Sequence, residues 1–207
     1  MGDWSTYGLS DFLMFAPATY WRLIELYHRA LWPGQLLALG SGLACLALAP
    51  RPGARPRCAA LLLLAAVWLW VGWAFHAQRY ATINWAASYF ALAFAVQALL
   101  LATLAWGVRV AAVRPATNVA AATALQRAGW LLAAGAVLLY PLAGWLAGRP
   151  LAQSDLFAMT PEPTALATLA LLPMLARPLP RTAGWVASAL PTLSLAMGAA
   201  TLWTMAR

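Results

Sequence analysis

Long apolar stretches, each ended by proline, glycine or arginine, dominate this chain and dictate what it can fold into. A helix that rises about 1.5 Å per residue needs about 20 mostly apolar residues to cross a hydrocarbon layer about 30 Å thick. Six stretches meet or approach that length: Leu31–Ala49, Cys58–His76, Thr82–Trp106, Ala128–Ala147, Thr164–Ala176 and Ala183–Met205. The fifth, fenced by Pro163 and Arg177 and interrupted by Pro173, is short, and reads either as a span with an irregular start or as a re-entrant segment. With 64% hydrophobic and 9% charged residues, the chain lies far from the roughly half-apolar, quarter-charged make-up of soluble domains. The expected fold is therefore all-α: a polytopic membrane helix bundle of six transmembrane helices over residues 31–207.

Residues 1–30 read differently, as an N-terminal interfacial amphipathic segment. Trp21, Ile24 and Tyr27 recur at helical spacing, with Ser10 or Asp11 as a helix cap and Pro17 as a kink. The basic residues are all arginine, 13 of them, and the loops after the first, third and fifth spans hold the majority. The positive-inside tendency puts those loops in the cytoplasm and both termini outside, in a bacterial inner membrane. All five acids (Asp3, Asp11, Glu25, Asp155 and Glu162) then fall on the outer side. Trp32, Trp106, Trp130, Trp145, Trp185 and Trp203 sit near span ends as interfacial anchors, whereas Trp68, Trp70 and Trp73 lie deeper and are expected between helices. The net charge of +8 is strung out between apolar runs, so no nucleic-acid partner is expected. Cys45 and Cys58 read as small packing residues.

Three groups of residues together resemble an uncharacterised family of bacterial multi-pass membrane proteins, domain of unknown function 6064. The first is Phe12-Leu13-Met14-Phe15, with Tyr20-Trp21-Arg22 and Tyr27 through Gln35. The second is Trp70 through His76 followed by Tyr80 through Ala87, and the third is Leu156-Phe157 with Thr160-Pro161-Glu162-Pro163-Thr164. The chain departs from that pattern at His28, where asparagine is expected, and at Ala158, where glycine is expected. The resemblance implies a membrane fold and no assigned activity, catalytic residue or cofactor.

Polar groups in apolar surroundings mark helix contacts or sites. The richest cluster is the junction of the second and third spans, with His76, Arg79, Tyr80, Asn84 and Ser88. Glu162, Thr164 and Thr168 at the start of the fifth stretch are expected to face the same outer cavity. The alternative for the junction is a hydrogen-bonded clasp, and for the second group an ordinary helix start. His28 and His76 are candidate metal or haem ligands, and Gly144 with Gly148 forms a small-residue pair suited to helix packing. No nucleotide loop, metalloprotease motif or paired carboxylates are evident, so an enzyme is not expected. Three functions remain open: an accessory or scaffold protein packed against a membrane partner or a second copy; a small-solute transporter or channel with an outer polar site; and a metal- or haem-binding membrane protein.

Overall fold

The computed structural model describes residues 14–112, 123–177 and 179–206, and every regular element in it is helical. Ser10, Asp11, Asp3, Phe12, Leu13, Arg114 and Arg207, on which parts of the sequence reading rest, lie outside the described residues. The elements are α1 (Pro17–Leu31), α2 (Gly34–Leu48), α3 (Ala54–Val71), α4 (Ala87–Ala111), α5 (Ala124–Leu138), α6 (Tyr140–Leu146), α7 (Pro161–Leu175) and α8 (Arg181–Met205). A π-helical turn, Gly72–Ala77, extends α3. Short 3-10 turns lie at Tyr80–Thr82 and Leu151–Gln153.

Three helical stretches, Ala54–Thr82, Ala87–Ala111 and Arg181–Met205, are long and apolar enough to cross a membrane, and the number rises to five if two bent pairs each count as one span. The expected six is thus too many. The shortfall is α7. Its 15 residues give a helix of about 22 Å, too short to cross a lipid layer unaided. Most of its residues are nonetheless buried, against α3, α5 and α8. Other helices therefore cover α7 on most of its sides. It runs antiparallel to α3: Glu162 at its start lines the same cavity as His76 and Tyr80, while Arg177 just past its end lies near Arg57.

The two bends have covalent causes. α1 and α2 meet at 91°, with Pro33 between them. α5 and α6 meet at 57°, where Pro141 has no N–H to continue the ladder. Pro17 does not kink α1; it begins it, at the first helical position where its missing N–H costs nothing. α1 keeps the expected amphipathic character, burying Tyr20, Ile24, Tyr27 and His28. It lies across one end of the bundle, docked on the 149–155 segment. Arg149 stacks 3.6 Å over the Trp21 ring, and Gln153 donates to Glu25, which also pairs with Arg22 and Arg29.

Other expectations are corrected at the level of single contacts. Only Trp68 of the three deeper tryptophans is buried; Trp70 and Trp73 turn outward with their rings 5.5 Å apart. Trp130 donates to the Leu46 carbonyl at 2.8 Å, joining α5 to α2. Gly144 and Gly148 do not form a helix-packing motif, because α6 stops at Leu146 and Gly148 (φ 80°) turns the chain. Gly144 instead leaves room for Ser154 and Arg149. Cys45 and Cys58 are free thiols facing the carbonyls of Ala60 and Ala105.

Candidate functional site: an aromatic cavity with two buried acids

The site begins with a helix defect. At Gly72 a Cβ would stand 2.8 Å from the Phe94 Cβ and 3.2 Å from the Ala91 carbonyl oxygen, so α3 and α4 approach closely only because glycine is there. From that point the ladder widens to π spacing, with Gln78 N–H donating to the Trp73 carbonyl at 3.0 Å. π-turns reorient the side chains they carry. This one turns His76 inward among rings, 4.5 Å from Phe94, 5.7 Å from Phe90 and 5.2 Å from Phe75, centroid to centroid. The imidazole is buried, and neither ring nitrogen has a hydrogen-bond partner among the described residues.

His76 lines a half-open cavity of about 400 Å³ bounded by α1, the π-turn, α4, the start of α7 and α8. Its walls are mostly aromatic: Phe15, Tyr20, Trp68, Phe75, Tyr80, Phe90 and Phe94. Two acids, Asp155 and Glu162, supply its charge. One oxygen of each, Asp155 Oδ1 and Glu162 Oε2, is buried without a partner among the described residues. Glu162 fits because α8 carries glycine opposite it; a Cβ at Gly198 would lie 2.5 Å from Glu162 Oε1. Burial raises the Asp155 carboxyl to about 6, against the pull of Arg149 and the Thr160 hydroxyl. Burial, and then the charge of Asp155, raises Glu162 to about 8. Both carboxyls are thus raised in the same sense, and the charge of Asp155 opposes ionisation of Glu162.

A threonine ladder positions this pair. Thr160 caps the 156–160 turn, its hydroxyl accepting from Leu156 N–H at 3.1 Å. Thr164 accepts from Ala158 N–H at 3.0 Å and donates to the Thr160 carbonyl at 2.8 Å. Thr168 donates to the Thr164 carbonyl and accepts from the Trp68 indole at 2.9 Å. All three threonines are buried with these bonds made.

Of the residues expected at one pocket, His76, Tyr80, Asn84 and Glu162 do line the cavity. Thr164 and Thr168 serve the ladder instead, Ser88 is exposed, and Arg79 opens on a separate shallow pocket beneath α1. Asn84 also acts as the expected clasp, donating to the Tyr80 hydroxyl at 3.1 Å and accepting from Ala86 N–H at 3.0 Å. His28 is not brought to the cavity; it lies against the Ala152 backbone and the Tyr27 ring. No three His, Cys, Asp or Glu side chains among the described residues group as a metal site.

Asp155 lines the cavity together with Glu162 and was missed as a site residue. The α8 wall was missed too, although Leu190, Ser194, Met197, Thr201 and Thr204 fall at spacings of four and three, a single helical face.

The model of a family described as "Family of unknown function (DUF6064)" matches residues 17–204. The chain belongs to that family. The match takes in the cavity-lining residues from Tyr20 to Thr204, while Met14 and Phe15 precede it. No curated protein and no solved structure matches the chain.

Proposed function

We propose that this member of the family is an integral membrane protein that binds a small solute in the aromatic cavity and passes it across or into the bilayer. The observation that carries this reading is the cavity itself, in which the buried His76 and Asp155 and the half-buried Glu162 each keep a shielded atom without a partner among the described residues. Four of the ten buried side-chain polar atoms without a partner among the described residues belong to residues that line this one cavity. The accessory-subunit reading rests on exposed apolar faces, which lipid covers as well as a protein partner does. A bis-histidine metal or haem site has less support, because His28 and His76 occupy different surroundings.

The proposed orientation puts the cavity on the outer face. Arg57 and Arg177 lie together at the far end of the bundle, and Arg51, Arg55, Arg109 and Arg181 belong to the adjoining turns and helix ends, which suits the cytoplasmic side.

The test is to fill the cavity. Ala93 of α4 lines the cavity, and Ala93→Trp places an indole there while leaving both acids in the sequence. In proteoliposomes and in a ligand screen by tryptophan fluorescence, the unaltered protein is expected to bind or pass a small solute. Ala93→Trp is expected to lose that while inserting and unfolding normally. A filled cavity with unchanged binding and flux would overturn the reading.

A further inference from the structure

The cavity also constrains the chemistry of its occupant, a step that rests on the proposed solute-binding role. We propose that the ligand is a small organic monocation, an ammonium head on an apolar body, held at the carboxyl groups of Asp155 and Glu162.

The lining offers acceptors and π-faces. Asp155 Oδ1 and Glu162 Oε2 are unpartnered acceptors among the described residues, and an ammonium carries three donors and no acceptor. Trp68, Phe75, Phe90 and Phe94 present the ring faces and edges that suit a cation joined to a hydrocarbon body. An anion has no counter-charge here, because no arginine among the described residues lines the cavity. A neutral apolar molecule would fill the space but leave both acid oxygens desolvated, which costs free energy without return.

Charge counting sets the stoichiometry. Arg149, held on the Trp21 ring and on the Gln153 carbonyl, offsets Asp155. Glu162 then has no basic group of its own among the described residues, and burial keeps it protonated near neutrality. The other titratable groups around the pair are Tyr20 of α1, His76 and Tyr80 after α3, and Tyr140 of α6; the described residues of α8 contribute none to the cavity. When the ammonium arrives, the Glu162 O–H bond breaks, its electron pair stays on the carboxylate as the counter-charge, and the proton leaves to solvent. The cavity's net charge is the same before and after.

The full chain in detergent is titrated with 2-phenylethylammonium, 3-phenyl-1-propanol and 3-phenylpropionate. The amine is expected to bind at least about tenfold more tightly than the alcohol, a difference of about 1.4 kcal/mol, and the carboxylate not at all. Amine affinity rises about tenfold per pH unit between about pH 5.5 and 7.5, and calorimetry in buffers of different ionisation heat shows one proton released per amine. Glu162→Gln removes the proton release and the preference for the amine but leaves alcohol binding. Equal amine and alcohol affinity, or an amine affinity independent of pH in the unaltered protein, overturns the proposal whether or not the variant folds. Alcohol binding that Ala93→Trp abolishes leaves the solute-binding reading standing; failure of all three probes, with Ala93→Trp indistinguishable from the unaltered protein, removes both.

Discussion

Asp155 is buried and Glu162 half-buried with one oxygen shielded, and their raised carboxyls make stability depend on pH. A carboxyl raised on folding binds protons more tightly in the folded state than in the unfolded one. Between its unfolded and folded values stability therefore falls as pH rises, and it levels off above the folded value. For Glu162, raised from 4.5 to about 8, that window covers most of the range in which the protein can be handled. Glu162→Gln should abolish this contribution. The stability difference, variant minus unaltered protein, is expected to grow from pH 5 to pH 8, read from thermal unfolding in detergent. A constant difference would mean that Glu162 is not held protonated. A second residue-scale prediction concerns Ala158, which sits at φ 61° between the two acids. The left-handed region costs a residue with a Cβ about 1–2 kcal/mol, and glycine escapes that at an entropic cost of about 0.5–1 kcal/mol. Ala158→Gly should stabilise the protein by up to about 1 kcal/mol, and a lower melting temperature would contradict this. The resemblance marked this position as a departure from glycine, but the backbone angle that explains it is not visible in a sequence.

At the scale of elements, prolines were legible and their partners were not. Pro191 stands inside α8 and cannot donate to the carbonyl four residues back, which is that of Ala187. Gln97 of α4, fully buried, donates its amide to that carbonyl at 2.9 Å. Gln126 of α5 likewise donates to the Pro173 carbonyl near the end of α7 at 3.0 Å, after closing a capping box with Thr123. The sequence shows a glutamine in one apolar helix and a proline in another, 94 positions on; only packing joins them. Gln97→Leu is expected to cost about 1–3 kcal/mol by leaving the carbonyl unpaired. Pro191→Ala restores the N–H, so in that background Gln97→Leu should cost much less. The coupling is measured by a double-mutant cycle on unfolding in detergent, and additive losses would show that the two residues are independent. The same logic explains the misjudged α7. Hydropathy and length report what lipid would have to cover, and they fail for a helix whose cover is other helices.

Taken whole, the molecule is polar at its two ends in different ways. Glu25, Asp155 and Glu162 gather with α1 and the cavity, while Arg57 and Arg177 meet at the opposite end. Composition and run lengths made the bundle legible, and the arginine pattern made its two ends distinguishable. The cavity was half legible: His76, Tyr80, Asn84 and Glu162 stood out as polar residues in apolar company, whereas its aromatic walls looked like ordinary span residues. The proposed orientation makes one further commitment. Leu151, exposed on the segment that holds Asp155, should face the outside, and Arg51, exposed in the turn between α2 and α3, should face the cytoplasm. In a background with Cys45→Ala and Cys58→Ala, a membrane-impermeant maleimide should label Leu151→Cys in intact cells. Arg51→Cys should react only after permeabilisation. The reverse pattern would turn the cavity toward the cytoplasm, so that amine and proton exchange would be with the cell interior. Labelling of both from outside would mean that the chain between Arg51 and Leu151 begins and ends on the same face, which an odd number of crossings by α3, α4 and the α5–α6 pair forbids.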